Sequence, residues 1–162
     1  MTENELAKTV VDLCVKIHKT LGPGLLESAY EECLTYELKK QGLQVQRQVS
    51  VPLIYDGVEL GEGFRADIIV DGKLILELKS VGEIQQVNYS RLLTYLRLTG
   101  LKSGLLINFG QSRVSEVSIE LSMDYKAVTT VRMALRSSRR LRLSCAPVGA
   151  QASRVRRSLC AE

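Results

Sequence analysis

The sequence has no apolar run approaching the roughly 20 residues that a membrane-crossing helix needs. A membrane-spanning helix is therefore excluded. It has no C-x-x-C pair: Cys14, Cys33, Cys145 and Cys160 are scattered, which suits free thiols in a reducing cytoplasm. The beginning, Met1-Thr2-Glu3-Asn4-Glu5, is acidic and polar, so no secretory signal is expected. There is no internal repeat. The single histidine, His18, follows Cys14 by four residues and can share a helix face with it. A metal pair is conceivable there, but a packed cysteine and a partly exposed histidine are the expectation.

What is present fits one domain with a sizeable core: 162 residues, 45% of them hydrophobic. The net charge of +4 conceals two regimes. Residues 1–122 carry 13 basic and 16 acidic side chains, a net of −3, and residues 123–162 carry 9 basic and 2 acidic, a net of +7. Nucleic-acid binding therefore cannot be argued from overall basicity. The domain is expected over residues 1–122. Residues 123–162, with no clear period, read as a basic extension expected to be poorly ordered. A nucleic-acid-binding arm is the other reading of it.

Leu6, Val10, Leu13, Cys14, Ile17 and Leu21 recur at helical spacing, predicting a helix from about Glu5 to Leu21, stopped by Gly22-Pro23-Gly24. A second helix is expected from about Leu26 to Gln41, with Leu26, Ala29, Tyr30, Cys33, Leu34 and Leu38 inward. From Gln44 to Tyr55 the pattern alternates, predicting a strand with Val45, Val49, Val51, Leu53 and Tyr55 on its buried face. Phe64–Val70 and Lys73–Lys79 read as a hairpin, Gln85–Thr99 as a helix and Gly104–Phe109 as a buried strand. The order α-α-β-β-β-α-β describes an α/β domain, a small mixed sheet flanked by helices.

The hairpin carries the chemistry. It reads R-A-D-I-I-V-D-G-K-L-I-L-E-L-K-S from Arg65 to Ser80. Residues two apart in a strand share a face, so Glu77 and Lys79 emerge together. With Asp67 opposite them, two carboxylates and an ammonium converge, a plausible site for Mg²⁺ (or Mn²⁺) and phosphodiester hydrolysis. The acid-x-Lys triplet alone is common. It occurs four times here, and only Glu77-Leu78-Lys79 lies on a strand preceded by an acid-bearing hairpin partner.

Register is decisive. A two-residue Asp71-Gly72 turn would set Asp67 against Leu76 and put the two acids on opposite faces. An odd count is needed: either a three-residue loop of Asp71-Gly72-Lys73 or a bulge. The bland alternative is a regular hairpin whose charges face solvent.

Gly24-Leu25-Leu26-Glu27-Ser28-Ala29-Tyr30, followed by A-D-I-I-V, L-E-L-K-S, L-L-T-Y-L-R-L-T-G and L-L-I-N-F-G, resembles the bacterial GxxExxY family over roughly residues 5 to 114. That family is placed among the PD-(D/E)XK nuclease-like proteins. The resemblance implies a restriction-endonuclease-like core in the order α-β-β-β-α-β. It implies Asp67, Glu77 and Lys79 as catalytic residues, and Glu27, Asp67 and Glu77 as metal ligands. Tyr30, Arg91 and Tyr95 become candidates for the substrate side. In the family a glutamine usually stands where this chain has Arg91, and a histidine often stands where it has Asn88. The implied function is Mg²⁺-dependent hydrolysis of DNA or RNA by a cytoplasmic protein. The alternatives are a non-catalytic nucleic-acid or protein-binding module that keeps the nuclease fold, and a plain structural domain.

The break in charge and period yields a test. Truncation after Ser122 should leave the melting temperature nearly unchanged, and a loss of several degrees would make the extension part of the core.

Overall fold

A reciprocal cap starts α1 (Glu3–Leu21). Thr2 Oγ1 accepts the Glu5 N–H at 3.3 Å, and the Glu5 carboxylate accepts the Thr2 N–H at 2.9 Å. Leu6, Val10, Leu13, Cys14 and Ile17 form its buried stripe, as their spacing predicts. Gly22 at φ +70° ends it. α2 (Glu27–Lys40) begins one residue later than expected, so Leu26 stands at its cap position and is exposed rather than inward. The computed structural model describes residues 1–112 and 118–122; the expected extension at 123–162, with Cys145 and Cys160, lies outside the described residues.

Five strands follow: β1 (Val45–Tyr55), β2 (Val58–Val70), β3 (Leu74–Lys79), β4 (Ser103–Asn108) and β5 (Ser118–Ser122), with α3 (Gln86–Thr99) between β3 and β4. They lie in the sheet in sequence order. Every pairing is antiparallel except β3 with β4, which run parallel because α3 carries the chain back across the sheet. α1 and α2 cover one face, packing Leu6, Val10, Tyr30, Leu34 and Leu38 on Ile68, Leu76, Leu105 and Ile107. α3 covers the other, with Leu92, Tyr95 and Leu96 on Ala66, Ile69, Ile75 and Leu106. The expected element order holds, and β5 is an addition. All six residues of β4 are buried, as suits a strand with a partner on each side.

Three expectations about burial are corrected. β2 starts at Val58, so β1 and β2 form a longer hairpin than Phe64–Val70 implied. Its turn is Asp56-Gly57, both at positive φ as a two-residue hairpin turn requires. Register shifts around Pro52 carry its outer part beyond the helices, leaving Leu53 and Tyr55 exposed. Leu21, at the last turn of α1, is also exposed. His18 is buried rather than partly exposed: its Nε2 donates to the Gln111 carbonyl at 2.8 Å and its ring lies near that of Phe109. Cys14 is buried in the core, where desolvation pushes its thiol pKa up.

The loop after β3 is fastened to the end of β4. Asn108, fully buried, accepts the Val81 N–H at 3.1 Å and donates to the Val81 carbonyl at 2.8 Å, and its Oδ1 also takes the Gly110 N–H at 2.9 Å. Gly110 lies so close that a Cβ there would collide with the Val81 backbone. Gly110→Ala should therefore cost about 1–3 kcal/mol, read as a lower melting temperature. Unchanged stability would show that this loop is not clamped.

Candidate functional site

The β2–β3 loop has the odd count that the site needs. Its three residues are Asp71, Gly72 and Lys73, with Val70 paired to Leu74, Ile69 to Ile75 and Ile68 to Leu76. The Lys73 N–H closes the turn on the Val70 carbonyl at 3.0 Å, and Asp71 and Gly72 take φ +50° and +62°. Asp71 tolerates that conformation because it is tied to Gln44: its carboxylate accepts the Gln44 N–H at 2.8 Å and its own N–H donates to the Gln44 carbonyl at 2.9 Å. One further step of this register sets Asp67 across from Glu77. The described pairing stops at Ile68–Leu76, and the Asp67 carboxylate reaches across instead, accepting the Leu78 N–H at 2.8 Å.

Glu77 follows Ile75 on the α3 side of the sheet, and its side chain is only 4% exposed. Its Oε1 faces two cations, Lys79 Nζ at 3.0 Å and Arg91 Nη1 at 3.8 Å. Its Oε2 is buried with no hydrogen-bond partner among the described residues. Lys79 also lies 3.7 Å from Glu27 Oε2 and donates to the Leu78 carbonyl at 2.6 Å. Glu27 is drawn in from the start of α2: its Oε1 accepts the Ser80 N–H at 3.1 Å, while Ser80 Oγ donates to the Leu25 carbonyl at 2.8 Å. Lys79 thus sits between an acid of the sheet and an acid of the helix.

The electrostatics follow from burial. Desolvation raises the Asp67 pKa; the Leu78 N–H and Lys79 oppose it, and the charges of Glu31 and Glu27 add to it. Desolvation also raises that of Glu77, reinforced by Asp67 and opposed by Lys79 and Arg91. Tyr95, buried and stacked on Phe64 with ring centroids 3.7 Å apart, is pushed up to about 12, by burial first and then by Glu77. Asp67, Glu77, Lys79, Arg91 and Tyr95 therefore share one electrostatic neighbourhood.

Of the residues singled out in the sequence, Glu27, Asp67, Glu77, Lys79, Arg91 and Tyr95 come together. Tyr30 does not, and its place on the substrate side is corrected. It is fully buried, stacked on Phe109 at 4.3 Å, and its hydroxyl donates to the Gly22 carbonyl at 2.6 Å and accepts the Leu25 N–H at 3.3 Å. Three residues along α2 are enough to pass from the edge of the site to beneath the sheet. Glu31 was missed. It is buried, bound by Arg47 Nε at 2.7 Å and Gln48 Nε2 at 2.8 Å, and close enough to affect Asp67. The available signal was its place four residues after Glu27, on the same helix face.

Among the described residues, no three acid, histidine or cysteine side chains stand close enough to form a ready metal cage. The donors at hand are carboxylate oxygens, one of them buried and unpartnered. That donor set fits a hard cation such as Mg²⁺, which takes one or two carboxylates and retains water.

Burial of Glu77 gives a pH test. Its folded-state pKa lies above the ordinary 4.5, so the folded chain holds the proton more tightly. The associated stability is complete below the unfolded pKa and is lost as pH rises through the folded one. In metal-free buffer, Glu77→Gln should therefore gain on the wild type in melting temperature as pH rises from 4 to 8. A difference that does not vary with pH would contradict the burial argument.

No curated protein and no solved structure matches the chain at a significant level. One family model does match, that of the PD-(D/E)XK nuclease superfamily, over residues 4–120. That span takes in α1 to β4, every carboxylate described above and Lys79, and the three helices and mixed sheet have the α/β, restriction-endonuclease-like arrangement. The chain belongs to the PD-(D/E)XK nuclease superfamily.

Proposed function

We propose that this protein is a metal-dependent nuclease of the GxxExxY kind, hydrolysing phosphodiester bonds of DNA or RNA in the bacterial cytoplasm. One observation carries the reading. Glu77 is buried with Lys79 at 3.0 Å on one oxygen and, among the described residues, no hydrogen-bond partner on the other, and Asp67 lies beside it. A buried carboxylate oxygen without a hydrogen bond is costly in a purely structural role, and becomes useful where a cation is to be held.

Asp67 and Glu77 would hold Mg²⁺ or Mn²⁺, with Glu27 at the rim. Such a cation would supply positive charge for the phosphate and for activation of the attacking water. Lys79, whose charge is balanced by Glu77 and Glu27, would donate to the charge that develops on the phosphoryl oxygens. Arg91 is half exposed beside Glu77 and would draw a phosphate toward the site. Tyr95 stays protonated near neutral pH, so it serves as a hydrogen-bond donor and not as a base. The free thiols of Cys14 and Cys33 are compatible with a reducing compartment.

The second reading, a binding module that retains the fold, has its own support: Lys79 already bridges Glu77 and Glu27, so the acids have a counter-charge without metal.

Two measurements separate the readings. Calorimetric titration with Mg²⁺ and with Mn²⁺ should give a saturable signal for the wild type and none for Asp67→Ala. Cleavage of end-labelled single- and double-stranded DNA and RNA should fall about 100-fold or more in Lys79→Ala, with metal binding retained. A wild type that takes up neither cation would sink the nuclease reading and leave the binding module.

A further inference from the structure

Besides the register shifts around Pro52, side-chain alternation along β1 and β2 fails between Arg47 and Val49. Val45 of β1 and Ile68 and Val70 of β2 pack on the α1–α2 side, whereas Val49, Phe64 and Ala66 pack on the α3 side. Val45 and Val49 are four residues apart and Ala66 and Ile68 two apart, so regular strands would keep each pair on one face. The pairing is unshifted on either side of the break, Arg47 with Ile68 and Val49 with Ala66. Both strands therefore turn over together at the residues between, Gln48 and Asp67.

Gln48 has φ +49°, a left-handed conformation disfavoured for any residue with a Cβ and unusual within a strand. Such a residue persists where its surroundings hold it. Here the holder is Glu31. One of its oxygens accepts Gln48 Nε2 at 2.8 Å, and the other accepts Arg47 Nε at 2.7 Å. Its side chain is only 8% exposed, so the accepting end of both bonds is shielded from water, which strengthens a charged hydrogen bond, although Arg47 and Gln48 themselves reach solvent. Across from Gln48, Asp67 points its carboxylate along the sheet toward β3, where it accepts the Leu78 N–H at 2.8 Å.

We infer that Glu31 and Gln48 are positioning residues for Asp67: their hydrogen bond holds Gln48 in the left-handed conformation that turns β2 over and aims the Asp67 carboxylate at Leu78 and the site. That Asp67 works on a cation rests on the proposed function; the geometry that aims it does not.

The reporter is the Leu78 amide, followed by NMR hydrogen exchange and chemical shift on the full chain without metal. Glu31→Ala should release Gln48, move the Leu78 signal and speed its exchange about tenfold, as loss of a charged hydrogen bond implies. Adding Gln48→Gly to Glu31→Ala should restore the Leu78 signal, because glycine takes the left-handed conformation unaided. A merely structural role for Glu31 would not be rescued in this way. If Glu31→Ala does not fold, Gln48→Val makes the same test, since a β-branched residue resists positive φ. A wild-type Leu78 signal in the folded single variant, or no recovery in the double variant, overturns the inference. Mg²⁺ titration of the same proteins keeps the two ideas apart: affinity should follow the Leu78 signal. A Leu78 response in a protein that never binds Mg²⁺ supports the positioning and removes the nuclease reading.

Discussion

Everything around the candidate site answers to one constraint: a glutamate side chain, that of Glu77, is almost wholly withdrawn from water. A carboxylate in that position needs counter-charge. The chain supplies Lys79 from two residues on and Arg91 from α3, both on the same oxygen. Lys79 in turn needs its own surroundings, and Glu27 and the Leu78 carbonyl provide them. The consequence is a site drawn from four separate elements, α2, β2, β3 and α3, held together by charges that would each be unfavourable alone.

Holding those elements in place is the work of neutral groups at the sheet's edge. Ser80 links the end of β3 to the entry of α2 through the Glu27 carboxylate and the Leu25 carbonyl. Asn108 clamps the backbone of Val81 from both sides, and Gly110 lets the chain pass at a distance that no side chain would permit. Tyr30 braces the turn before α2 through Gly22 and Leu25. These residues lie in the same short sequence blocks as the acids and the lysine. The blocks thus encode both the chemistry and the joints that aim it, and Tyr30 shows that membership of a block does not decide which of the two a residue serves.

Much of the fold was legible in the chain. Helical spacing in α1, alternation at the start of β1, and the glycines after each helix mark real boundaries because they report local geometry. That the β2–β3 connection departs from a two-residue turn was also legible, since only an odd count, a three-residue loop or a bulge, brings Asp67 and Glu77 to one side; the structure takes the loop. Less legible were the exposure of Leu53 and Tyr55 and the depth of His18. Those depend on where the helices stop covering the sheet and on which carbonyl lies within reach, such as that of Gln111 for His18. β5 escaped notice because Ser118–Ser122 is short and has meaning only as a partner for β4.

By itself the sequence determined the element order, the hairpin that carries Asp67, Glu77 and Lys79, and the spacing that puts Glu27 at the head of a helix. These are periodic or local properties, set by backbone geometry within a few residues. Only the tertiary structure decided that Glu77 is buried, that Arg91 shares its oxygen with Lys79, and that Glu31 holds Gln48 opposite Asp67. Those relations join residues from 12 to 19 positions apart. They depend on how far the sheet twists and where each helix crosses it, which the summed packing of the whole core settles and no local pattern records.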